Sequence, residues 1–244
     1  MVQWAVELND LKKTYRTGPI EVSALRGVSL KIAPGEFVAA AGPSGSGKTT
    51  LLNIIGGLDR ADSGEVRVAG QDLQLLSSGE LAGLRLRRIG FVFQTYNLMP
   101  VLTALENAEF TLLLQGIPAH RRREKVHKLF AEIGLAGLED RRPAELSGGQ
   151  QQRVAVARAM VTEPALILAD EPTANLDSAT AIALLDVMQH LNRVTGTTFI
   201  FSTHDPQVME RAHRMIRLRD GQIVSDDMRD GPEPRAAAGV ASVA

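Results

Sequence analysis

The rhythm of apolar residues changes along this chain, and each rhythm predicts an element. Ala165-Leu166-Ile167-Leu168-Ala169 is a continuous apolar run. A short run without polar alternation predicts a strand buried on both faces, as in a parallel sheet. Thr197–Thr203 reads as another buried strand, and Ile89–Phe93 as a strand with Gln94 at its end. Phe37-Val38-Ala39-Ala40-Ala41 is a further strand-like run. Elsewhere the spacing is helical. Leu51, Leu52, Ile54 and Ile55 follow one strand, Val154, Ala155, Ala157, Ala159 and Met160 precede another, and 178–194 carries Ile182, Leu184, Leu185, Val187, Met188 and Leu191. Strands alternating with helices predict an α/β fold with a mostly parallel sheet.

Two regions break that pattern. Residues 2–8 alternate loosely as a strand, the polar stretch Lys12-Lys13-Thr14-Tyr15 follows, and Val22–Ile32 reads as a second strand closed by Ala33-Pro34-Gly35-Glu36. Together they predict an antiparallel β layer. Ser63–Gly70 adds a short strand between turns, and Asp220-Gly221 predicts a late hairpin. The middle of the chain is helical. After a helix at Ser78–Arg88, Thr103 and Glu106 form a capping box for a helix to Gln115. Gly116-Ile117-Pro118 breaks it, and 119–133 is amphipathic, with Val126, Leu129, Phe130 and Ile133 on one side. Residues 95–163 are therefore expected as an α-helical subdomain inserted into a core of about 1–94 and 164–226. Beyond Asp226 periodicity stops, which predicts a flexible tail over 227–244.

Composition narrows the class. The 244 residues are 44% hydrophobic with a net charge of -1, so no global basic footprint for nucleic acid exists. The absence of cysteine excludes disulfides and thiolate metal sites. No apolar run approaches the roughly 20 residues that span a bilayer. Met1-Val2-Gln3-Trp4 lacks the charged-then-apolar order of a signal segment. A soluble cytoplasmic protein is expected.

The most specific chemistry is Gly42-Pro43-Ser44-Gly45-Ser46-Gly47-Lys48-Thr49-Thr50, a phosphate loop between a strand and a helix. Its glycines let the backbone curl so that N–H groups face phosphate oxygens. The helix start adds unpaired N–H groups and a positive dipole end. Lys48 supplies a point charge, and the Thr49 hydroxyl can ligate Mg²⁺. A plain Gly/Ser turn does not require the lysine, the threonine and both flanks.

Three further polar groups end apolar strands: Gln94, Asp170-Glu171 and His204. Strand C-terminal ends line the ligand crevice of a parallel sheet, so all can converge on one nucleotide. Asp170 suits a Mg²⁺ water shell, Glu171 the proton of an attacking water, and Gln94 the metal or that water. His204 can bond the terminal phosphate or position the water. Singly, each is an ordinary strand-end polar residue; their coincidence carries the reading. Tyr15 either packs or stacks on a base. Ser147-Gly148-Gly149-Gln150 opens a helix and is a second anion-binding device. Alone it is a capped helix start. One nucleotide site has no use for a second such device, so it is expected to complete a site on another copy.

In this ordered set the sequence resembles an ABC-type ATPase subunit, over nearly the whole chain to about Asp226. Gly42 to Thr49 match the Walker A motif, Gln94 the Q-loop and Leu146 to Gln150 the signature. Leu166 to Glu171 match Walker B, Asn175-Leu176-Asp177 the D-loop, His204 the switch histidine and Tyr15 the base-stacking aromatic. The resemblance implies a RecA-like core, ATP and Mg²⁺ as ligands, and a head-to-tail dimer with two ATP between the copies. Glu171, His204 and Gln94 are then catalytic, and Thr49, Gln94 and Asp170 face the metal. It also implies a membrane permease as partner, which holds the protein on the inner face of the cell membrane. Tyr96 to Leu102 suits a groove for that partner's helix. Ala24–Leu30, Gly56–Asp59, Phe93–Pro100 and Leu102–Asn107 look like the lipoprotein-releasing, macrolide-exporting and cell-division branch. The fused membrane segment of the macrolide exporters is not in this sequence, so the permease is expected as a separate polypeptide.

Two other functions stay open. A soluble ABC-type ATPase acting on nucleic acid or ribosomes usually carries two cassettes or long insertions. A regulator that uses ATP only to dimerise has no need of Glu171.

Overall fold

A computed structural model of the chain describes residues 4–229. β1 (Val6–Thr17) and β2 (Ile20–Ile32) open it, then β3 (Phe37–Ala41) feeds α1 (Lys48–Ile55). β4 (Ser63–Val68), β5 (Gln71–Asp72), α2 (Ser78–Arg88) and β6 (Ile89–Val92) follow. Next come α3 (Ala104–Leu114), α4 (Ala119–Glu132) and α5 (Gly148–Met160). β7 (Leu166–Asp170), α6 (Ser178–Thr195), β8 (Thr198–Thr203), α7 (Pro206–Arg211), β9 (Arg214–Arg219) and β10 (Gln222–Met228) complete the described chain.

The strands form two sheets. One is antiparallel, in the order β2-β1-β4-β5; the other runs β10-β9-β3-β8-β7-β6 and is parallel except at the β10 edge. Period-two alternation in the parallel sheet separates two cores. Phe37, Ile167, Ala169, Phe199 and Phe201 face the helices α3 to α6, while Val38, Ala40, Leu166, Leu168 and Ile200 face α1 and the antiparallel layer. This is an α/β fold with a mostly parallel sheet, an antiparallel β layer and a run of helices between β6 and β7.

Several expectations need correction. β1 does not stop at Leu8 but runs to Thr17, so Tyr15 lies inside it, opposite Val22, not between strands. The cause is a bulge. The register shifts between Leu8 and Leu11, where Asp10 adopts a φ of 48°. The extra residues return Leu11 to the buried face and break the alternation. Ile182 is exposed on α6. At the C-terminal end, β10 stays paired with β9 past Asp226 to Met228, because Arg214 forks both oxygens of Asp226 at 2.7 Å. The rest of the expected tail, 230–244, lies outside the described residues.

Candidate nucleotide site

Strand register builds the site. Ala41 pairs with Thr203, Asp170 with Ser202, and Val92 with Ala169, so four strands end at one edge. The segments after them therefore emerge together: the phosphate loop, Gln94, Glu171 and His204.

The phosphate loop needs glycine where it passes other backbone. A Cβ on Gly42 would lie 2.2 Å from the Leu218 carbonyl oxygen, and one on Gly47 2.5 Å from that of Ala24. Gly47 also has a φ of 102°, a region that L side chains avoid. Lys48 opens α1 and is buried; its Nζ donates to the carbonyls of Gly42 at 2.8 Å and Pro43 at 3.0 Å. Ser46 lies buried under the loop, and its hydroxyl has no partner.

Thr49 Oγ1 donates to both oxygens of Asp170 at 3.3 Å. Hydroxyl and carboxylate form a hard-oxygen pair. Among the described residues no group of three or more His, Cys, Asp or Glu could cage a metal. The pair alone suits an ion that keeps most of its ligands as water or phosphate.

Glu171 has a φ of 46°, held by its N–H bond to Ser202 O at 2.9 Å. Non-glycine residues at positive φ cluster at functional sites. Its carboxylate accepts from His204 Nδ1 at 2.7 Å and Thr203 Oγ1 at 3.4 Å. An ionised carboxylate can only accept, so Nδ1 carries the proton. His204 itself reaches into solvent.

Tyr15 closes the other end. Its hydroxyl donates to Asp59 Oδ2 at 2.7 Å, and Lys13 Nζ donates to Asp59 Oδ1 at 2.9 Å. Lys13 also sits 5.1 Å from the Tyr15 ring centroid, within cation–π range. Burial pushes the Asp59 carboxyl up, but the bonds from Tyr15 and Lys13 outweigh it and hold the group below its usual range. Burial, then the bond to Asp59, pushes the Tyr15 phenol up.

A cleft of about 720 Å³ brings Tyr15, Pro43, Ser44, Gly45, Gly47, Lys48, Thr49, Thr50, Gln94, Glu171 and His204 together. None of Ser147, Gly148, Gly149 or Gln150 lines it. They stand at the start of α5, where Ser147 and Gln150 form a reciprocal capping box. A Cβ on Gly149 would lie 2.3 Å from Thr180 Cγ2, so α5 and α6 pack too closely for a side chain there.

Sequence reasoning missed several contributors. Ser202 lines the cleft with a buried hydroxyl that has no partner. Asp59 and Lys13 fix Tyr15. Gln152 is buried between the Gln94 and Glu171 segments. Asp59 was marked only within Gly56–Asp59, Lys13 only within a polar stretch and Ser202 only within a strand, and none of these segments carries a spacing tied to the site. The stretch Tyr96–Leu102 gives only Asn97 to the nearest apolar groove, which is about 680 Å³ and lined by Leu86, Phe91, Phe93 and Leu114 among others. Arg158 holds the carbonyls of Tyr96 and Asn97, and Leu98 packs against the core.

Fold and cleft define a nucleotide-binding α/β protein of the phosphate-loop class. The sequence model of the ABC transporter family matches residues 25–174, and the chain belongs to that family. It is 50% identical over 234 residues to a macrolide export ATP-binding/permease protein MacB of Syntrophobacter fumaroxidans, covering 95% of this chain and 33% of that protein. The chain thus spans about a third of the length of its MacB relatives. It is 47% identical to a lipoprotein-releasing system ATP-binding protein LolD of Anaeromyxobacter dehalogenans, over 96% of each chain. A solved ATP-binding cassette, described as a dimeric post-hydrolysis state bound to ADP and Pi, matches with a TM-score of 0.85 and 42% identity. That match covers 93% of this chain and 99% of the other.

Proposed function

We propose that this chain is the ATP-hydrolysing subunit of a membrane transport or mechanical complex, driven by closure of a head-to-tail dimer around ATP. The observation that carries the reading is the split of the site. The cleft holds the phosphate loop with Glu171 and His204, while the Ser147–Gln150 helix start does not line it. A second copy that presents Ser147, Gly148 and Gly149 to the cleft completes it. The likeness to a cassette described as a dimer with ADP and Pi supports this.

In this reading Tyr15 stacks on the base, and Gly42 through Thr50 wrap the phosphates. Lys48 gives up its carbonyl partners for phosphate oxygens. Thr49, Asp170 and Gln94 hold Mg²⁺, which neutralises phosphate charge when bound. Glu171 accepts the proton of the attacking water. His204, bonded to Glu171 through Nδ1, fixes that carboxylate, and with both ring nitrogens protonated its Nε2–H can also donate to phosphate. Residues 1–94 and 164–226 act as the catalytic core, and 95–163 as the helical block that carries motion to a permease.

A permease partner is supported by the likeness to a protein named as the ATP-binding part of a lipoprotein-releasing system. The groove between α2, α3 and α5 is its docking place. No helix of the described residues is long and apolar enough to cross a membrane, and the proposed position is peripheral, on the inner face. The deciding experiment is size-exclusion chromatography of Glu171→Gln with ATP and Mg²⁺. A dimer is expected, and a monomer at saturating ATP refutes the shared site.

A further inference from the structure

Gln152 lies fully buried in α5, just past the Ser147–Gln150 device. Its Nε2 donates to two backbone carbonyls, Pro172 O at 2.7 Å and Phe93 O at 3.1 Å. Pro172 follows Glu171, and Phe93 precedes Gln94. Both partners accept only, so the nitrogen must face them; the flipped amide would set oxygen against two oxygens. Its own Oε1 is buried with no partner, a state that carries an uncompensated desolvation cost. An apolar side chain of the same length would avoid that cost, so the two donated bonds are what the amide contributes. A second amide acts beside it: exposed Asn175 donates from Nδ2 to Gln94 O at 3.0 Å. The consecutive carbonyls of Phe93 and Gln94 are therefore tied to α5 and to the loop after β7.

We propose that Gln152 is a positioning residue for hydrolysis, with Asn175 as its second tie. One planar amide fixes the backbones beside Gln94 and Glu171 relative to each other and to the start of α5. Any displacement of the Ser147 end of α5 stretches both bonds together and moves the groups that handle the attacking water. Closure on a second copy is thus sensed at Glu171 without a contact between Ser147 and Glu171. This rests on Glu171 acting as the base.

The test uses the full chain with Gln152→Met and Asn175→Asp, each also combined with Glu171→Gln. Steady-state and single-turnover ATP hydrolysis give kcat and KM, and thermal melting checks the fold. The expected result is a fall in kcat of at least tenfold for Gln152→Met and at least threefold for Asn175→Asp. KM for ATP stays within twofold, and no further loss appears when either is added to Glu171→Gln. A kcat within twofold of the unmodified chain overturns the proposal. So does a parallel rise in KM, or a loss that multiplies with that of Glu171→Gln, since both mark general structural damage. If Gln152→Met does not fold, Asn175→Asp decides alone, because its side chain is exposed and the core is untouched. Undiminished hydrolysis by Glu171→Gln itself sinks the functional reading; undiminished hydrolysis by Gln152→Met beside an inactive Glu171→Gln sinks only this one.

Discussion

Glu171→Gln isolates proton transfer from everything else the site does. The substitution keeps volume and shape. Thr203 Oγ1, 3.4 Å from Oε2, can still donate to the amide oxygen, and His204 Nδ1, 2.7 Å from Oε1, can accept from the amide once its proton moves to Nε2. The φ of 46° is no harder for Gln than for Glu. The fold and the phosphate loop should therefore be retained, with ATP affinity within a few-fold. What disappears is the proton acceptor. A positioned general base contributes about 10²–10⁴ in rate, or roughly 3–5 kcal/mol at about 1.4 kcal/mol per decade. Phosphate release at saturating ATP and Mg²⁺ should fall at least a hundredfold on the lower of those estimates. A loss smaller than about tenfold would place the base elsewhere.

Lys48→Ala removes the charge that meets the phosphates. Charged hydrogen bonds are worth about 1.5–3 kcal/mol, so ATP Kd by titration should rise roughly ten- to a hundredfold, and an unchanged Kd refutes the role. Ser147→Arg leaves the cleft of its own copy intact, so nucleotide binding should persist while turnover stops; normal turnover contradicts a site shared between copies. Leu114→Glu puts a charge on the exposed lip of the apolar groove, and permease recovered on purification should fall at least several-fold; full recovery removes the groove as the docking place. Asp59→Ala tests the anchor of Tyr15. The folded-state pKa of Asp59 is depressed, so its contribution is fully present above the unfolded pKa of about 4 and fades as pH falls below it. The melting-temperature gap between the two proteins should be flat from pH 7 to about 5 and narrow below about 4; a gap that grows on acidification reverses the sign.

Legibility differed by element. β7 and β8 were plain because a strand buried on both faces shows an unbroken apolar run, and Leu166–Ala169 and Phe199–Phe201 supply one each. The capping box of α3 was equally plain, since Thr103 and Glu106 satisfy each other's backbone within four residues. β1 was cut short because its register against β2 shifts at Asp10 and twice more before Tyr15, and each shift disturbs the alternation that marks a half-buried strand. The apolar stretch Tyr96–Leu102 was read as a surface for a partner; Val101 is exposed there, while Arg158, far along the chain, binds the carbonyls of Tyr96 and Asn97 and Leu98 packs on the core.

The chain's own order of residues determined the chemistry. A lysine and threonine behind a glycine loop, an acid pair ending an apolar run, and a serine-glycine helix start are recognisable because each works through backbone within a few positions of itself. Tertiary structure decided which of these meet. β3 lies between β8 and β9, which brings Gly42 and His204 to one edge, while Ser147 at the start of α5 does not line the cleft there. Asp59 under Tyr15 and Gln152 between Phe93 and Pro172 were equally hidden. Their partners are a distant side chain and distant carbonyls. A carbonyl is the same atom in every residue, so no spacing in the sequence marks the one that a side chain will find.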